Sequence, residues 1–96
     1  MRNNERKTLH LVLKREFYEQ IDEGVKTTEY RASKPYWDAR LKNGYDCVEF
    51  RLGCNRDAKR MTFYINEIDI IDTPNIHKEL LKTSKCYAIR LGGRVK

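Results

Sequence analysis

Gly24-Val25-Lys26-Thr27-Thr28-Glu29-Tyr30-Arg31 is the stretch on which the reading of this chain turns. A cation, an anion and a second cation fall within a few residues of a glycine. Before it, Lys14 to Glu23 has helical spacing. Phe17 and Ile21 lie one turn apart with Tyr18 beside them, and charges cover the other side. Gly24 stands where a helix end takes a left-handed residue. Val25 to Ala32 then alternates as a strand. In a regular strand Glu29 and Arg31 share a face and Lys26 points the other way. The three charges meet only if Lys26 precedes the regular strand, in the turn leaving Gly24. A solvated charged strand, or an ion pair between Glu29 and a neighbour, accounts for the same spacing.

Working outward, the helix is preceded by Thr8 to Leu13, where Leu9, Leu11 and Leu13 alternate with polar or smaller residues as a strand. After the stretch, Pro35 ends the second strand and opens a short helical turn through Leu41 with Tyr36 and Trp37. Asn43-Gly44 is a turn signal. Tyr45 to Leu52 is a third strand, and Gly53 to Arg60 a polar loop. Met61 to Asp72 is the longest strand. Its apolar parity changes at Asn66-Glu67, from Met61, Phe63 and Ile65 to Ile68 and Ile70, which predicts a β-bulge. Asn75 to Lys82 reads as a short helix carrying Ile76, Leu80 and Leu81. Cys86 to Leu91 is the last strand, with Gly92-Gly93 and a basic tail after it. The fold class expected is α+β, mainly β: a small, partly closed barrel of about five strands with one or two short helices.

The chain has 96 residues, which fits one domain over 8–96 behind a flexible basic lead-in over 1–7. Twenty Lys and Arg against 14 Asp and Glu give a net charge of +6, so polyanionic partners such as RNA are favoured. The first residues are polar, and no stretch approaches the ~18 apolar residues of a membrane span. Cys47, Cys54 and Cys86 are odd in number, widely spaced and without a C-x-x-C, which points to a reducing, cytoplasmic setting. Cys47 and Cys86 read as packing in strands, whereas Cys54 is the thiol to test for reactivity. His10 and His77 have no partner at metal-ligand spacing, so neither a metal nor a cofactor is expected.

Two further groups are candidate contacts for an anionic ligand. Tyr36 is an aromatic beside a charged strand, and stacking on a base is worth about 1–3 kcal/mol where it occurs. Trp37 reads as a core plug. Arg56, Lys59 and Arg60 crowd the polar loop, either as a phosphate clamp or as a solvated hairpin.

The run G-V-K-T-T-E-Y-R resembles the G-x-K-x-x-E-x-R signature of ASCH domains, a branch of the PUA-like superfamily. The likeness extends to L-H-L-V-L-K, to E-Y-R-A-S-K-P-Y-W-D-A-R-L, to Y-D-C-V-E-F-R-L-G, to R-M-T-F and to Y-A-I-R-L-G, nearly the whole chain. It implies a PUA-like barrel with a cleft presenting Lys26, Glu29 and Arg31, and a ligand that is RNA or nucleotide-like. Some relatives are amidohydrolases of acetylated cytidine nucleosides and others ribonucleases, which would make Lys26 and Glu29 catalytic. In the amidohydrolases, however, a threonine nucleophile stands where this chain has Glu29, and a carboxylate does not replace that hydroxyl. Close relatives also tend to read N-G-Y where this chain has Leu52-Gly53-Cys54. Binding of RNA or a nucleotide through Lys26, Glu29, Arg31, Tyr36, Arg56, Lys59 and Arg60 is therefore expected first. Hydrolysis comes second, with Glu29 or the more distant Glu67 as acid or base, and a purely structural ion-pair cluster third.

Overall fold

A computed structural model of the chain describes residues 7–42 and 44–95. The order of elements is β1 (Thr8–Leu13), α1 (Arg15–Asp22), β2 (Thr28–Ala32), α2 (Pro35–Leu41), β3 (Cys47–Leu52), β4 (Arg60–Asp72), α3 (Asn75–Leu81) and β5 (Lys85–Arg94). Five strands form one mixed sheet in the order β1-β3-β4-β5-β2, curled into a half-barrel. β1 runs parallel to β3, and every other pairing is antiparallel. Among the described residues there are three helices, one more than the upper expectation, because the turn after Pro35 closes into a full helix with Pro35 in its first turn. Its fixed φ suits that position, and its missing N–H costs nothing there.

The core follows from the alternation in the strands. Leu9, Leu11 and Leu13 of β1 are buried, with Val48 and Phe50 of β3, Met61 and Phe63 of β4 and Ile89 of β5. α1 closes this core with Tyr18 and Ile21, and Leu41 of α2 joins it. Trp37 is half-buried and packs against the same cluster. Cys47 and Cys86 are buried free thiols, and Cys54 is exposed.

The bulge expected at Asn66 is present. Ile65 pairs with Leu91 but Glu67 with Arg90, so β4 has one residue too many between them. A compensating shift lies between Phe63 and Ile65, where β5 carries the extra residue. Gly92 belongs to that second irregularity. A Cβ there would stand 2.6 Å from Asn66 Oδ1, so the bulged side chain occupies the space a larger residue would need. The glycines that read as the end of the last strand therefore lie inside it, and β5 runs on to Arg94. Beyond the bulge Ile68 packs on the core, whereas Ile70, two residues on along the same face, is 61 % exposed.

Lys7 is tied down: its N–H donates to Asp46 Oδ2 at 2.9 Å and its carbonyl accepts from the N–H groups of Asp46 and Cys47. The rest of the predicted flexible lead-in, and Asn43 of the Asn43-Gly44 turn, lie outside the described residues. Among the described residues no helix is long and apolar enough to cross a membrane.

Candidate functional site

β1 and β2 are the two edges of the sheet, and α1 links them. The seam they leave is where the charges of the opening stretch gather. α1 ends with Gly24 at φ +81, a backbone conformation that side chains with a Cβ rarely adopt. The N–H groups of Val25 and Lys26 then both donate to the carbonyl of Gln20, at 2.9 and 3.0 Å. Val25 and Lys26 are thereby held by the helix end, the Thr27 carbonyl makes the first bond to β5 by accepting from Leu91 N–H at 3.0 Å, and β2 starts only at Thr28. This corrects the strand start expected at Val25. It also takes Lys26 out of strand parity, the condition for it to meet Glu29 and Arg31.

Glu29 and Arg31 face the inside of the sheet, opposite Ile89 and Tyr87 of β5. Glu29 is buried, at 6 % exposure. Its Oε1 lies 3.0 Å from Lys26 Nζ, and its Oε2 3.0 Å from Arg31 Nη2. The Lys26 contact is an ion pair by distance without hydrogen-bond alignment, so Oε1 is buried with its accepting capacity unused. The Nε of Arg31 is likewise buried without an acceptor. Aromatic rings back both cations. Lys26 Nζ lies 4.6 Å from the centre of the Phe17 ring, and the Arg31 guanidinium 5.3 Å from that of Trp37. Arg31 also reaches the carbonyl of Val12 at 3.5 Å, across the seam.

Two depressions open onto this cluster. The first, of about 310 Å³, has Lys26, Thr28 and Tyr30 on one side and Ile76 and His77 of α3 on the other. The second, of about 230 Å³, is bounded by Leu13, Lys14, Glu29 and Arg31 and by Leu80 and Leu81 of α3. Phe17 and Tyr30 line both and form the wall between them. The His77 ring lies 4.6 Å from that of Tyr30. Burial and then the nearby Lys26 ammonium push the His77 pKa below its ordinary value, against a smaller opposing pull from Glu29. A neutral imidazole therefore sits beside a cluster of two cations and one anion. The cluster has a surplus positive charge for an anionic group and a buried carboxylate oxygen for a hydrogen-bond donor.

The other candidates lie elsewhere. Tyr36 is 61 % exposed and meets the Trp37 ring edge-on at 4.9 Å, so it is next to the site only through the ring that carries Arg31. Arg56 and Lys59 stand in the connection between β3 and β4, Arg60 opens β4, and all three are exposed. None of them lines either depression. The Gly53 N–H donates to the Leu13 carbonyl at 3.2 Å, which sets the base of their hairpin beside the second depression. Glu67 pairs instead with Arg90, at 3.7 Å, outside both. Among the described residues, no three His, Cys, Asp or Glu side chains are grouped so that they could hold a metal ion.

Phe17, Tyr30 and His77 are site residues that the sequence does not reveal. They come from α1, β2 and α3, and no local spacing links them.

Comparison of the chain with protein-family models, curated proteins and solved structures finds no match.

Proposed function

We propose that the protein is an ASCH-type, PUA-like module that holds single-stranded RNA or a nucleotide at the seam of its half-barrel. The observation that carries this reading is the buried Glu29 carboxylate, flanked by Lys26 and Arg31 and opening onto depressions with aromatic walls. A base edge presents donors and acceptors side by side. Glu29 Oε1 would take a donor, and Lys26 and Arg31 would donate to a base edge or to phosphate. Tyr36, set off from this cluster by the Trp37 ring, would offer an outer stacking surface. Arg56, Lys59 and Arg60 would add attraction without sequence preference. The three free thiols support a reducing, cytoplasmic setting.

Fluorescence anisotropy with a labelled unstructured RNA, at about 50 and 200 mM salt, tests the proposal. With three or so phosphates contacted, affinity falls by more than about tenfold between the two conditions. Lys26→Met should weaken binding further while the protein stays folded. Binding indifferent to both salt and Lys26 would sink the reading. The same pair of proteins, incubated with acetylated nucleosides and with RNA, tests the hydrolase alternative: turnover by the parent and not by the variant would put catalysis in place of binding.

One observation favours a structural role instead. Both cations are already engaged by Glu29, so the cluster also makes sense as an internal tie between the end of α1 and β2. Stability measurements on Glu29 variants separate the two roles.

A further inference from the structure

α3 differs from the other helices. It buries no residue fully, whereas α1 buries Tyr18 and Ile21, and α2 buries Leu41. Ile76 and Leu80 are 84 % and 59 % exposed. The helix starts after Pro74 and ends at Lys82, whose φ of 57° is left-handed. Just outside these limits the chain is pinned. Thr73 N–H donates to the Ser84 carbonyl at 2.9 Å, and Asp72 pairs with Lys85 in the ladder and by an ion pair. Residues 74–83 are therefore an excursion from the end of the β4–β5 hairpin, and they can move without breaking the sheet.

This excursion covers the site. Ile76 and His77 wall the first depression, and Leu80 and Leu81 the second, so α3 is the one element that borders both from the outer side. Its ring contact with the body is His77 on Tyr30. We propose that α3 is a lid over the Lys26–Glu29–Arg31 cluster, latched by the His77–Tyr30 stack and released when His77 gains a proton.

The charges around His77 set the direction. From the turn after α1 it faces the Lys26 ammonium, and from β2 the Glu29 carboxylate and the Tyr30 ring. α1 contributes only the uncharged Phe17 and Gln20 to the same depression. On α3 itself the adjacent Lys78 and Glu79 are exposed. Desolvation and Lys26 together outweigh Glu29, so the closed lid prefers the neutral ring. A group whose pKa is depressed when the lid is closed holds it fully above the open-state value, near pH 6.5 for a free imidazole. That contribution declines as pH falls from there to the closed-state value. Acidification opens the lid and exposes the cluster.

The device is independent of what the site binds, and its test needs no ligand. Amide exchange is measured on the whole protein between about pH 5 and 8 and converted to opening constants with the intrinsic rate at each pH. Residues 75–81 are compared with Ile89 in the core of β5, in the parent, His77→Phe and His77→Ala. In the parent the opening constant of 75–81 should rise as pH falls below about 6.5, by up to about tenfold per unit, while that of Ile89 stays level. His77→Phe keeps a ring to stack and cannot be charged, so its lid stays closed at every pH. His77→Ala loses the latch and is open at every pH. The proposal is overturned if His77→Phe keeps the pH dependence of the parent. It is equally overturned if 75–81 open only together with Ile89, or if the parent shows no pH dependence.

Discussion

Lys26, Glu29 and Arg31 at the seam, and Arg56, Lys59 and Arg60 at the β3–β4 hairpin, are each three charges within one short stretch of chain. At the seam the three are drawn inward and paired, with side-chain exposures of 16, 7 and 20 %. At the hairpin all three are exposed, and no ion pair joins them among the described residues. Arg60 even stands directly opposite the half-buried Arg51 in the ladder, a like-charge pairing that is unfavourable in itself. The difference lies in the backbone. Gly24 lets the chain leave the helix so that Lys26 folds back over Glu29, whereas the hairpin tip projects from the sheet. Charge clusters of similar density therefore differ in what their removal costs.

The largest effect should come from Glu29→Ala. It leaves two largely buried cations without their shared anion, and breaking such a cluster from one side costs about 3–5 kcal/mol. Because Lys26 and Arg31 keep some contact with water, the expected loss is near the lower end, about 3 kcal/mol, read from urea unfolding. Glu29→Gln, which keeps the shape and an accepting oxygen, should lose less. A Glu29→Ala protein as stable as its parent would erase the contrast with the hairpin and leave the seam a surface-like cluster.

A smaller effect is expected at Lys26. Lys26→Met keeps an unbranched side chain on the Phe17 ring and leaves Arg31 to balance Glu29. A loss of about 1 kcal/mol is expected, with RNA affinity falling by a larger factor than stability accounts for. A double-mutant cycle with Glu29→Gln gives the coupling directly. Contacting residues couple by about 0.5–3 kcal/mol, and a value near zero would mean that the 3.0 Å contact stores no net energy.

How much of this was open to reading from the sequence depends on how local each cause is. The period of Leu9, Leu11 and Leu13, the glycine after Asp22-Glu23 and the parity change at Asn66 are local, and each leads to the observed element. The strand start expected at Val25 is too early because Val25 to Thr27 alternate like a strand, while the decisive fact is the hydrogen bonding of Val25 and Lys26 to Gln20. The end of β5 expected at Leu91 is too early because Gly92-Gly93 reads as a terminator, and only the bulge across the sheet explains the glycine at 92. α3 is legible as a helix, but not its exposure, because Ile76, Leu80 and Leu81 suit a buried face equally well. In the site, the three charges stand in one stretch and could be singled out. Phe17, Tyr30 and His77 could not, because they meet only through the packing of α1, β2 and α3.

The smallest effect on stability, and the sharpest on salt dependence, should come from the hairpin. The triple variant Arg56→Ala, Lys59→Ala, Arg60→Ala removes exposed groups that no ion pair joins among the described residues, so the unfolding midpoint should stay within error of the parent. If these side chains meet phosphates, the log–log salt slope of RNA binding should flatten by about 2, from ~0.7 per lost contact on a single strand. Lys26→Met should flatten it by less than 1 and yet weaken binding at high salt, where screening has removed most of the hairpin's contribution. The two variants thus separate attraction by solvated charge from recognition by a held one. If both change the slope alike and leave high-salt affinity alone, the seam acts as one more basic patch, and burial of Glu29 serves the fold and not the ligand.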